Sequence, residues 1–173
     1  MDLVVKKLYD IQSYSTINVE SVSEELVLID LELQPDSINF DSRPLHCRYD
    51  FGDFPPLDIS FDSETGLLKE ITLFVSKSYL KHEKEVRDVE YQNAIGYPCM
   101  NTEFVVKNEF YYDEICEIII TRRELSLSVV RANRVSSLKV IVNENLSILL
   151  DESEALTGVE FNNLSKDNLN LIN

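Results

Sequence analysis

Residues 49–56 read YDFGDFPP, and Asp50-Phe51-Gly52 within it is the tripeptide with which protein kinases hold magnesium against ATP phosphates. That chemistry also requires a glycine-rich loop over the phosphates, a strand lysine and a His-Arg-Asp catalytic loop. The chain has only four glycines, Gly52, Gly66, Gly96 and Gly158, so no phosphate-cradling loop can form. No histidine precedes an Arg-Asp pair. Asp50 is therefore read as surface charge on a turn, where Gly52 supplies a permissive backbone and Pro55-Pro56 stiffen the next segment.

Other chemistries lack their partners too. The only histidines are His46, beside Cys47 in a strand-like run, and His82, in a charged stretch. Neither has the regularly spaced companions that zinc requires, so no metal or other cofactor is expected. There is no Gly-x-Ser-x-Gly turn for a serine nucleophile, and a cysteine nucleophile needs a histidine beside it in space. Cys116, between Ile115 and Glu117, reads as buried, whereas Cys99, after Pro98, reads as the more accessible thiol. The acidic runs at 62–64 and 151–154 lack EF-hand spacing and read as carboxylate-capped hairpin turns. No catalytic residue is assigned, and the chain is expected not to be an enzyme.

Two stretches have the composition of a protein-binding surface. Tyr49-Asp50-Phe51-Gly52-Asp53-Phe54, with Asp58 beyond it, interleaves acids and aromatics, and so does Phe110-Tyr111-Tyr112-Asp113-Glu114. Rings fill pockets on a partner while carboxylates pair with its Lys or Arg. The candidate partner-binding residues are Tyr49, Asp50, Phe51, Asp53, Phe54, Asp58, Tyr111, Tyr112, Asp113 and Glu114. Charge points the same way. The net charge is −15, and residues 8–68 carry thirteen carboxylates against Arg43 and Arg48, a local −11. Such a field repels nucleic acid and anionic membrane and draws in a basic protein. A smaller basic group, Arg122, Arg123, Arg131, Arg134 and Lys139, is expected to pair with the acidic N-terminal half within the fold.

The elements that must position these residues are mostly strands. In Val27-Leu28-Ile29-Asp30-Leu31-Glu32-Leu33 the odd positions are all apolar while Asp30 and Glu32 point the other way, 125–129 and 138–142 alternate similarly, and 143–145 reads as a turn into 146–150. Helical periodicity is confined to a charged stretch at 78–91 and a final helix capped by Ser165 and running to Leu171. The expected class is mainly β, or α+β with β dominant: antiparallel hairpins in two related halves with a short C-terminal helix. The relation lies in Leu57-Asp58-Ile59-Ser60-Phe61-Asp62 over Leu146-Ser147-Ile148-Leu149-Leu150-Asp151, and Leu67 over Leu156, at an offset of 89. After one missing residue, Ile71 and Leu73 fall over Val159 and Phe161. The chain is thus read as a single unit, 1–173, of two β halves, about 1–76 and 88–173, joined by a charged connector at 77–87.

A 44% hydrophobic content with eight Phe and eight Tyr suffices for a real core. The opening residues lack a long apolar stretch and the apolar runs are too short to cross a bilayer. Three unpatterned cysteines suit a reducing compartment, so a cytoplasmic location is expected.

In size, charge and lack of catalytic motifs, and in the segment Ile59-Ser60-Phe61-Asp62-Ser63-Glu64-Thr65-Gly66-Leu67-Leu68-Lys69-Glu70-Ile71, the chain resembles immunity proteins of bacterial polymorphic and contact-dependent toxin systems. The resemblance implies one-to-one neutralisation of a cognate toxin, often a basic nuclease, by covering its active site. These families share no residue motif, so no functional residue carries over. The alternative expectation is a bacterial or phage accessory or structural protein that uses its β surface for assembly.

Overall fold

Where apolar and polar residues alternate the chain is extended, and strands dominate the computed structural model, which describes residues 2–50, 52, 56–82, 89–103 and 109–173. The first strands are β1 (Val5–Tyr9), β2 (Ser13–Ser21), β3 (Leu26–Pro35), β4 (Pro44–Asp50), β5 (Leu57–Asp62) and β6 (Leu68–Ser76). Next come β7 (Lys81–His82), β8 (Gln92–Ile95), β9 (Tyr97–Met100), β10 (Tyr111–Ile115) and β11 (Ile118–Arg122). The last are β12 (Leu127–Arg131), β13 (Leu138–Ile141), β14 (Leu146–Leu150) and β15 (Leu156–Phe161), followed by the helix α1 (Lys166–Ile172). The protein is mainly β, as its alternation predicts. Ser165 caps α1 as expected, its hydroxyl accepting from the Asn168 N–H at 3.1 Å.

The helix expected at 78–91 is a correction. A 3-10 turn over Lys77–Tyr79 and the strand β7 stand at its start, Val89, Glu90 and Tyr91 are not helical, and 83–88 lie outside the described residues. Its helical spacing holds too few apolar residues to pack a face, and edge pairing of β7 with β11 wins instead.

Two large sheets result. The N-terminal sheet runs β10-β4-β5-β6-β3-β2 and the C-terminal sheet β7-β11-β12-β15-β14-β13-β8, with β1-β9 as a separate pair. Inward positions such as Val27, Ile29, Ile59, Leu73, Val129, Ile148 and Val159 are almost wholly buried and form one continuous core. The sheets therefore pack face to face, the arrangement that buries one face of each. Helix α1 packs beside β2 and buries Leu169 and Ile172. No described helix is long and apolar enough to cross a membrane.

The halves repeat one another strand for strand. The order β4-β5-β6-β3-β2 has its counterpart in β13-β14-β15-β12-β11, with every neighbouring pair antiparallel in both. Ile59 faces Ile71 as Ile148 faces Val159, and a bulge follows Ser60 and Leu149 alike. Leu68 faces Phe61 as Leu156 faces Leu150, so the missing residue falls in the turn and Leu68, not Leu67, is the counterpart of Leu156. The β1-β9 pair clasps the two turns symmetrically. Val5 N–H donates to Glu154 C=O and Met100 N–H to Gly66 C=O, while Val5 and Met100 face each other.

Candidate functional site

Strand β4 decides where two of the ten expected binding residues, Tyr49 and Asp50, go. Leu45, Cys47 and Tyr49 point into the core, and His46, Arg48 and Asp50 point out. Tyr49 is a correction: at 1% exposure it cannot anchor a partner. Burial lifts its phenol well above the usual range, and the Arg131 guanidinium lies 5.3 Å from its ring. Asp50 faces outward, and its Oδ1 accepts from Gly52 N–H at 3.0 Å, closing the turn that the sequence predicts. Phe51, Asp53 and Phe54 lie outside the described residues.

Strand β10 lies parallel to β4 and divides its residues in the same way. Tyr111 and Asp113 join the outer face. The Tyr111 ring stacks on His46 with centroids 4.9 Å apart, and the Arg48 guanidinium lies 4.7 Å from it. Asp113 takes Arg48 in a bidentate grip at 2.6 and 2.7 Å, which holds its carboxyl below the usual range. Tyr112 and Glu114 are corrections. They point inward, opposite Cys47 and Tyr49, and Glu114 pairs with Arg131, itself 8% exposed. The basic group pairs in part with the N-terminal half, as expected: Arg131 and Arg134 both bond Asp2. Arg131 also bonds Glu114, Arg134 bonds Asp151 and Lys139 bonds Glu160, all in the C-terminal half.

Across the N-terminal sheet, register assembles an outer face that no single stretch reveals. One row reads Tyr111, His46, Ser60, Glu70, Glu32, Thr16, and the next reads Asp113, Arg48, Asp58, Thr72, Asp30, Asn18. A third joins Phe74, Leu28 and Glu20. Asp58 is spoken for: both its oxygens lie 3.0 Å from His46 Nδ1. Asp30, Glu32 and Glu70 have carboxylate oxygens within 4.8 Å of one another, and Thr72 Oγ1 donates to Asp30 at 2.9 Å. Burial, a hydrogen bond with Asp30, and the charges of Asp30, Glu32 and Asp58 push the Glu70 carboxyl up to about 7. Sequence reasoning missed this cluster. Alternation puts Asp30 and Glu32 on one face, but nothing local says that Glu70 will lie against Glu32.

The corresponding face of the C-terminal sheet is buried at its centre. Its outward positions Ser128, Ser147, Leu149 and Glu160 are buried, Ile119, Val130 and Ile141 are half-buried, and Lys139, ion-paired to Glu160, sits 5.7 Å from the Tyr91 ring. The outward positions of the N-terminal sheet, Ser60, Asp62 and Ser76 apart, are exposed or half-exposed.

The thiols offer no nucleophile. Cys47, Cys99 and Cys116 are free and buried, which corrects the expectation that Cys99 is accessible. Burial raises all of them, Cys47 to about 12, and Cys99 Sγ donates to the Thr65 carbonyl at 3.0 Å. The acidic turns are internally satisfied. Asp62 accepts from Thr65 N–H at 2.8 Å and from Ser42, and Asp151 accepts from Ser153 N–H at 2.8 Å. No protein-family model matches the chain, and no curated protein matches it either.

Proposed function

We propose that this chain is a non-catalytic binding protein for a basic protein partner, and that it serves as an immunity protein that neutralises a nuclease-type toxin domain. One observation carries the reading: the open outer face of the N-terminal sheet is acidic, while the equivalent face of the C-terminal sheet is buried at its central positions Ser128, Ser147, Leu149 and Glu160. On that face Arg48 and His46 are already engaged by Asp113 and Asp58, which leaves Asp30, Glu32, Glu70 and Glu20 without a basic partner among the described ion pairs. An uncompensated carboxylate field speeds capture of a basic protein and occupies a groove built for phosphates. Exposed Tyr111 and half-buried Phe74 and Leu28 add the apolar area that slows release.

The test is titration of the purified chain into a basic nuclease domain encoded beside its gene. The expected result is loss of nuclease activity at one-to-one stoichiometry, with association that slows as salt rises. A complex that leaves the nuclease fully active, or no complex at low salt, overturns the reading.

A further inference from the structure

At the centre of the acidic face, β3 and β6 set Asp30 opposite Thr72 and Glu32 opposite Glu70, a square on adjacent strands. Like charges placed directly opposite one another disfavour sheet pairing, so folding alone does not account for this arrangement. The groups that face Glu70 from neighbouring strands are Asp30 and Glu32 on β3 and Asp58 on β5. Lys69, its neighbour in sequence, holds its ammonium 5.2 Å from the Phe40 ring instead. On the other side Ser60 lies directly opposite Glu70, is 3% exposed, and has a hydroxyl with no hydrogen-bond partner. A buried hydroxyl left idle beside a carboxylate excess is destabilising on both counts.

We propose that this square is the socket for one Lys or Arg side chain of the partner, and that the entering cation displaces a proton from Glu70. The inference rests on the reading of the chain as a binder of basic proteins. Without a cation among them, carboxylates this close ionise together only at a cost, and the elevated Glu70 carboxyl reflects that. An ammonium or guanidinium supplies the missing charge, the proton leaves to solvent, and affinity rises as pH climbs through about 7. A divalent cation is the competing occupant. On a flat sheet its protein ligands would all lie on one side, leaving much of its coordination shell to water, which favours the basic side chain.

The experiment uses the full, isotope-labelled chain and a hexa-arginine peptide, followed by amide chemical shifts, with calcium chloride and manganese chloride titrated separately. Peptide-induced shifts centred on Asp30, Glu32, Glu70 and Thr72 are expected, with binding about tenfold weaker in Glu70→Gln, a factor typical of one lost charge contact. Calorimetry near neutral pH in buffers of different ionisation enthalpy should show proton release, and Glu70→Gln should abolish it. Asp30→Asn, which keeps the acceptor for Thr72, serves as the second variant and should weaken the peptide as well. Peptide shifts elsewhere on the surface, no proton release, or a metal ion that shifts the square while the peptide does not would each overturn the socket. None of these outcomes depends on the toxin titration, so the socket and the immunity reading fail separately.

Discussion

Arg131 shows what a charge demands at the margin of this core. It is 8% exposed, bonds Glu114 and Asp2, and donates to the Leu156 carbonyl at 3.4 Å. Removing one member of such a pair leaves the other charge desolvated and alone, so Arg131→Ala should cost about 3 kcal/mol by chemical denaturation. Adding Glu114→Gln should recover part of that loss, because the stranded charge is then gone. Glu70 works in the opposite sense. Its carboxyl is raised from 4.5 to about 7 in the fold, so the folded chain holds a proton that the unfolded chain releases. The stability this contributes is fully present below pH 4.5 and is lost as pH rises through about 7. Glu70→Gln should flatten that slope and, on the alkaline side, stabilise the chain by about 1 kcal/mol, the full shift being discounted for solvent screening. Denaturation midpoints across that window check the sign.

At the scale of elements, the paired hairpins solve one turn in two ways. Gly66 at φ 75° and Glu154 at φ 62° occupy the same left-handed position, but only the glycine is suited to it. Glu154→Gly should therefore stabilise the second hairpin by about 1 kcal/mol, the usual penalty of that backbone region. Gly66→Ala should destabilise the first, since a Cβ there would sit 2.5 Å from the Met100 carbonyl oxygen in addition to the left-handed strain. Thermal melts of the variants measure both. These hairpins were legible in the sequence because alternation and turn chemistry are local, and the matched apolar positions at 57–61 and 146–150 already imply matched strands. The burial of Tyr49 was legible as well, since Leu45, Cys47 and Tyr49 fall on one strand face, but its acidic and aromatic neighbours drew the reading toward a binding anchor. The Glu32–Glu70 contact was not legible. It depends on β3 pairing with β6 across thirty-odd residues, which only the whole sheet determines.

At the scale of the molecule, the two equivalent faces have taken opposite characters. The positions of Asp30, Glu32 and Glu70 correspond, by register, to Ser128, Val130 and Gly158 in the C-terminal sheet, all uncharged, with Ser128 and Gly158 buried and Val130 half-buried. The −15 net charge is therefore not a uniform coat but has an open pole, and an approaching basic protein should be oriented by it before contact. Combining Asp30→Asn, Glu32→Gln and Asp58→Asn should slow association with the proposed basic partner by about tenfold at low salt and flatten its salt dependence. The fold should persist, since outward carboxylates contribute little stability and two of these three are mutually repelling. The control is a variant of equal charge change made elsewhere: Glu124, Glu144 and Glu152, all exposed and on the C-terminal half, replaced by Gln. Stopped-flow association at low and high salt compares the two. If the control slows capture as much as the face variant, steering comes from net charge alone, and the N-terminal sheet has no special claim to the partner.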